Sequence, residues 1–294
     1  MGTAKLFRRF DQQVTATKSE RETSINRLLD CEAALSARYF ANASAGDHLT
    51  IIGSAAKSTS ISPMADADGI FRTPVGTYTR FAEYAGNGQS ALLQEVRGVL
   101  AARYPRTQIR GDGPVVVVEF ASGPSVEIVP GVLFSGGADN FHADCKVPVT
   151  RAGGLWEDSD YGAEYDNTTA LNTATNGQYT RLIRYMKAWR RVWDTTFKSI
   201  LLELMVAEFM RGWDRSRTGY VYDDWLVRDF FGHMVANYHS TYALPTGMRI
   251  GTGVGWIDQA KQSCSDAGTA CTFGDSSPYY LTYWRSVFGN GFGA

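Results

Sequence analysis

The chain has 294 residues, 44% of them hydrophobic, enough to bury a sizeable core as one large lobe or two closely packed ones. Its 29 Lys and Arg nearly cancel 30 Asp and Glu and form no long basic run, which argues against a surface built chiefly to grip a nucleic-acid backbone while leaving room for a nucleotide substrate. No apolar stretch is long enough to span a bilayer, and the N-terminal segment lacks the apolar centre of a signal peptide, so the expected location is cytoplasmic, with no membrane partner.

In chain order, residues 17 to about 40 carry Ile25, Leu28, Leu29, Leu35 and Tyr39 at helical spacing with charges between them, predicting a long amphipathic helix that opens the fold. From about 48 to 150 the segments HLTIIG, DADGIF, VVVVEF and SVEIVPG are short and bounded by Gly, Pro, Ser and Asp, the texture of strands and turns. Between them, QSALLQEVRGVLAARYP predicts a helix that stops before Pro105. The stretch 151–177, rich in Gly, Asn, Asp and Thr, reads as an ordered surface crossover. Beyond it, Tyr179, Leu182, Ile183, Met186, Trp189 and Trp193 recur on one helical face, and two more segments follow in the same style. The expected division is therefore a mixed α+β lobe over 1–175 and a helical lobe over 176–294.

Chemistry concentrates where the apolar run LTII ends in Gly53-Ser54 and is followed, after eleven intervening residues, by Asp66-Ala67-Asp68. On a strand the two aspartates project from one face with Cα atoms about 6–7 Å apart. Carboxylates so close repel unless a cation lies between them, and hard oxygen ligands suit Mg²⁺, which keeps waters and recruits phosphate oxygens. Gly53 lets backbone amides approach a ligand and Ser54 offers a hydroxyl to a phosphate. A two-metal phosphoryl-transfer site needs one more carboxylate from a neighbouring strand. The hairpin VVVVEFASGPSVEIVPG offers Glu119 and Glu127, and periodicity alone does not choose between them.

Other chemistry-bearing residues carry less. Cys31, Cys145, Cys264 and Cys271 are dispersed without a zinc-ligand spacing and read as reduced, partly buried thiols. His142, His233 and His239 are scattered and receive no ligand role, and Trp189, Trp193, Trp213 and Trp225 sit at core spacing.

With GSAAKSTSISPMADADGIF, then VEIVPG, then YTRLIRYMKAWRRV, FKSILLELM and the ending YYLTYWRSVFGNGFGA, the chain resembles the CD-NTases, the bacterial cyclic-oligonucleotide synthases of CBASS anti-phage defence. These are relatives of cyclic GMP-AMP synthase among the polymerase-β-like nucleotidyltransferases. The resemblance implies an α+β fold, with a mixed-sheet nucleotidyltransferase core bearing a long N-terminal helix, packed on a helical lobe, and the active site in the cleft between them. It implies Gly53 and Ser54 as phosphate contacts, Asp66 and Asp68 as metal ligands, and Glu127 as the third acidic position, where many members carry aspartate. It also implies that Lys187 and Ser199 bind phosphate; read without it, Lys187 is a solvated helix flank and Ser199 a small packing residue.

The implied activity joins NTPs into a cyclic di- or trinucleotide second messenger with two Mg²⁺ ions, Mn²⁺ substituting, and releases pyrophosphate; a downstream effector reads the product. A small, flexible Gly293-Ala294 end would suit conjugation by an E1/E2-like CBASS enzyme. The zinc-bearing DNA-binding insertion of the animal homologue has no counterpart, so DNA activation through it is not expected. Two alternatives are a transferase that adds a single nucleotide to a protein or RNA, and a catalytically silent nucleotide-binding regulator.

Overall fold

The computed structural model describes residues 2–41, 44, 46–133, 145–215 and 218–294; His142 lies outside them. The contacts divide the chain into one compact unit of residues 16–165 and another of residues 1–15 and 166–294. That division differs from a break at 175, because the N-terminal residues 1–15 cluster with the C-terminal helices.

The described residues form, in chain order, α1 (Thr3–Val14), α2 (Lys18–Tyr39), β1 (Leu49–Ile52), α3 (Gly53–Ala56), β2 (Asp66–Thr73), α4 (Val75–Ala82) and α5 (Gly88–Arg103). There follow β3 (Gln108–Asp112), β4 (Val115–Glu119), β5 (Ser125–Leu133), β6 (Cys145–Val149), β7 (Leu155–Ser159), α6 (Tyr161–Ala174), α7 (Gln178–Val192) and α8 (Ser199–Gly212). The chain closes with α9 (Asp223–Ala236), β8 (Thr241–Ala243), β9 (Arg249–Gly251), α10 (Ile257–Phe273) and α11 (Pro278–Phe288).

In the unit of residues 16–165, α2 starts at a capping box: the Thr17 side chain accepts from the Glu20 N–H while the Glu20 carboxylate accepts from the Thr17 N–H at 2.7 Å. The same carboxylate accepts from the Met64 N–H at 3.0 Å and the Ser62 hydroxyl at 3.1 Å, tying the loop that delivers Asp66 to the start of α2. Leu28, Cys31 and Leu35 recur on one face of α2 and are fully buried against the sheet residues Ala67 and Phe71. The sheet runs β1-β2-β5-β4-β3, with β6 also paired to β5 and β7 to β6. β2 and β5 are parallel and the other pairs antiparallel, so the sheet is mixed. α5 is capped by Asn87, which accepts from the Ser90 N–H at 2.8 Å, and ends at Tyr104 before Pro105.

The stretch 151–177 is more regular than its composition suggests. It contains β7, paired along its length with β6, and α6, whose first turn is capped by Asp160 accepting from the Ala163 N–H at 2.8 Å. Pairing to a neighbouring strand overrides weak local propensity here.

In the other unit, α1 precedes the long helix that was expected to open the fold. Leu6, Phe7 and Phe10 are buried in the helical core with Tyr185, Trp284, Phe288 and Phe292. Asp11 accepts from Arg184 at 2.7 Å and from the Tyr220 hydroxyl at 2.9 Å, fixing α1 to its neighbours. Gly293-Ala294, expected as a flexible end, follow a fully buried Phe292: a Cβ on Gly293 would lie 2.6 Å from Leu281 Cδ1, while Ala294 is exposed and its carbonyl accepts from Gln13 at 3.1 Å. The buried aromatic ring holds the end down. Among the described residues, no helix is long and apolar enough to cross a membrane.

Candidate active site

Strand alternation assigns the two faces of β2 different tasks. Ala67 and Phe71 point into the core beneath α2 and α5, while Asp66, Asp68 and Ile70 share the other face, with both aspartates half-buried. β1 runs antiparallel to β2 with Ile52 opposite Asp68, so the turn that follows β1 starts beside that carboxylate. At this turn Gly53 takes φ +64°, and a Cβ placed there would fall 2.0 Å from Asp68 Oδ2. Glycine is demanded both by the backbone conformation and by the carboxylate lying against it. Ser54 follows, its Oγ 3.0 Å from that of Ser60, and its carbonyl accepts from the Thr59 N–H at 3.0 Å, closing the loop on itself.

The parallel pairing with β5 sets Asp66 opposite Ser125 and Asp68 opposite Glu127. Registered residues on neighbouring strands share a face about 4.8 Å apart, which makes Glu127 the lateral neighbour of Asp68. Glu119 lies on β4, one strand further from β2, and accepts from Arg110 Nε at 3.0 Å. The register therefore separates two glutamates that periodicity left even. Gly53, Ser54, Asp66, Asp68 and Glu127 come together at one end of this sheet.

Burial pushes the Glu127 carboxyl above the ordinary glutamate range, the Asp66 charge pushes it further, and Asp112 adds to this while Arg110 opposes. Among the described residues, no three Asp, Glu, His or Cys side chains already close on one point as a metal cage. Three hard carboxylate donors spread over two adjacent strands instead fit an ion that keeps part of its water and takes substrate phosphate oxygens as further ligands.

The raised proton affinity gives a stability prediction. Between the ordinary glutamate value and its own higher one, folded Glu127 holds more proton than it does in the unfolded chain, so stability falls as pH rises through that window. Glu127→Gln removes this loss. Without metal, the variant is expected to melt above the wild type at about pH 7.5, with the gap closing toward about pH 4. Thermal unfolding at the two pH values checks this.

On the helical unit, Lys187 of α7 and Ser199 at the start of α8 sit on packed neighbouring helices. Lys187 is 5% exposed and donates from Nζ to Glu203 Oε1 at 3.5 Å, so the solvated-flank reading does not hold. Ser199 Oγ accepts from Arg190 Nη1 at 3.0 Å, and the same guanidinium donates to the Phe197 carbonyl at 2.6 Å. Arg190 and Glu203 are partners that the sequence reading missed. Arg190 stands one turn after Lys187, and Glu203 one turn after Ser199, so helical spacing was their only signal. The four cysteines are free thiols, and His233 Nδ1 lies 3.3 Å from Asn237 Nδ2.

Residues 1–172, more than half of the chain, match the Second Messenger Oligonucleotide or Dinucleotide Synthetase domain. The chain belongs to this family. It is a nucleotidyltransferase of the CD-NTase type, as its motifs led one to expect, and enzymes of this kind depend on divalent metal. No curated protein sequence matches it. The fold of this synthetase-family chain is similar to that of Escherichia coli MS115-1 CdnC bound to ATP (20% identity, TM-score 0.69, 99% of each chain covered). The same CdnC in complex with HORMA-deltaN matches at 18% identity and a TM-score of 0.70, covering 99% of this chain and 98% of that one. Vibrio cholerae DncV cyclic AMP-GMP synthase, in complex with the linear intermediate 5′ pppA(3′,5′)pG, matches at 13% identity and a TM-score of 0.73, covering 96% and 93%. At these identities the likeness establishes the polymerase-β-like nucleotidyltransferase fold, an α+β architecture.

Proposed function

We propose that the protein joins NTPs into a cyclic di- or trinucleotide for anti-phage CBASS signalling, with Asp66, Asp68 and Glu127 as the catalytic acids. The observation that carries this reading is the register that sets Glu127 beside Asp68 at the strand end where Gly53 and Ser54 turn. DncV, a fold neighbour, is described with a linear dinucleotide intermediate, which supports a two-step route here as well.

Asp66, Asp68 and Glu127 would hold Mg²⁺, which Mn²⁺ can replace. When bound, the ion would supply charge neutralisation for the triphosphate and leaving pyrophosphate and would make the attacking hydroxyl more acidic. The chain's own groups do the rest. The Gly53 turn and the Ser54 hydroxyl contact phosphate oxygens; Lys187 and Ser199 are the proposed phosphate contacts on the helical unit. Glu127 accepts the proton from the attacking 2′- or 3′-hydroxyl. The new bond joins that oxygen to the α-phosphorus as the bond to pyrophosphate breaks. A second, intramolecular transfer by the linear product closes the ring. The reading places the enzyme in the cytoplasm, with an effector that recognises the product, and retains conjugation through Ala294 by an E1/E2-like enzyme as part of the proposal.

Purified protein incubated with four labelled NTPs and Mg²⁺ or Mn²⁺, then treated with phosphatase, is expected to yield a resistant cyclic oligonucleotide by mass spectrometry. The Asp66→Ala/Asp68→Ala variant is expected to yield none. Labelled nucleotide attached to an added protein or RNA, without a cyclic product, would establish a single-transfer enzyme instead.

A further inference from the structure

Lys57, Glu164 and Tyr161 are charged or polar groups that the proposed reaction does not use. Lys57 lies one helical turn past Gly53, its N–H donating to the Gly53 carbonyl at 3.2 Å. Its side chain turns inward, only 7% exposed, and Nζ donates to Glu164 Oε2 at 3.2 Å. Glu164 stands in the first turn of α6, three residues after Tyr161. Tyr161 packs against the cluster containing Ile52 and Ile70, the residue before Gly53 and the residue two after Asp68. Burial pushes its phenol up to about 12, and the charge of Asp68 contributes to that rise. One turn of α6 is thus tied to the Gly53 turn through an ion pair and packs an aromatic ring against the cluster that includes Ile52 and Ile70.

An ammonium so far from water is a costly way to join two elements, since an apolar pair of similar volume does so at least as well for stability. What the ion pair adds is direction: a hydrogen-bonded charge fixes the angle and register of the turn. That turn is in contact with Asp68, with no room for even a methyl group between the Gly53 backbone and Oδ2.

We propose that the Lys57–Glu164 ion pair is a positioning device for nucleotidyl transfer, holding the Gly53 turn against Asp68 so that the carboxylate is presented to metal and phosphate in one orientation. The proposal rests on the reading of Asp68 as a metal ligand. Lys57 is a positioning residue that acts on the Gly53 turn.

The test compares wild type, Lys57→Met, Lys57→Arg, Glu164→Gln and Asp68→Asn by Mn²⁺ binding, read from the electron paramagnetic resonance of free Mn²⁺. Steady-state kcat and KM for NTP and thermal unfolding accompany it. Removal of an outer-shell partner typically costs about 10–100-fold in metal affinity or activity. Lys57→Met and Glu164→Gln are therefore expected to weaken Mn²⁺ binding and lower kcat by about tenfold or more, while KM for NTP changes by less than about threefold. Lys57→Arg, which keeps the charge, is expected to recover most of both. A lower Tm with Mn²⁺ binding and kcat unchanged would assign the pair to stability alone and overturn the proposal. Should Lys57→Met fail to fold, Glu164→Gln and Lys57→Arg decide: equal Mn²⁺ affinity in Glu164→Gln and wild type overturns it. Wild type that binds Mn²⁺ no better than Asp68→Asn would instead remove the metal-ligand reading beneath it, a distinct result.

Discussion

Asp68→Asn is expected to reduce nucleotidyl transfer by at least about a thousandfold, equivalent to about 4 kcal/mol of lost transition-state stabilisation. The substitution keeps shape and removes charge from the central member of the acidic set, which lies against Gly53 on one side and registers with Glu127 on the other. A neutral amide is a poor ligand for a hard divalent ion and leaves Glu127 without its partner in holding the ion. Fold should be retained, because relieving repulsion among neighbouring carboxylates offsets the lost contacts of a half-buried group. Single-turnover transfer assays with matched melting curves check both statements. A variant retaining more than about a tenth of wild-type activity would overturn the assignment of Asp68.

Gly53→Ala is the second large effect, and it arises without touching a charged group. Alanine at φ +64° costs about 1–2 kcal/mol of backbone strain, and its Cβ would overlap Asp68 Oδ2. The carboxylate or the turn must shift by more than an ångström to admit it. Misplacement on that scale costs about a hundredfold in rate when it falls on a reacting group, so a fall of that size is expected with a Tm lowered by only a few degrees. If activity fell only in proportion to the folded fraction, the close approach would be structural and not catalytic. Ser54→Ala is a useful companion, since it removes a hydroxyl and leaves the turn intact.

Much of the site was legible because its elements are local. LTII followed by Gly-Ser, and two aspartates with one residue between them, carry strand ends, a turn and same-face carboxylates within a single stretch of chain, where alternation alone fixes geometry. The helix over 17–40 and the one ending before Pro105 were readable for the same reason: their apolar faces, caps and stops are written within a few turns. α1 also carries a local signal, with Leu6, Phe7 and Phe10 at helical spacing.

Other features were decided between distant segments. Glu119 and Glu127 have equivalent neighbours in sequence, and only the pairing of β2 with β5, and of β4 beyond it, sets one beside Asp68 and gives the other to Arg110. Lys187 has the spacing of an exposed helix flank until Glu203 of α8 buries and pairs it. Lys57 and Glu164, over a hundred residues apart, meet only because α6 begins where the sheet ends. Composition, periodicity and turn chemistry, which are short-range, alone showed the Gly-Ser and Asp-Ala-Asp motif, the mixed character of one half and the helical character of the other. Strand order, which glutamate lies beside Asp68 and the partners of the buried lysines depended on which long-range contacts bury the most apolar surface, information that no local pattern carries.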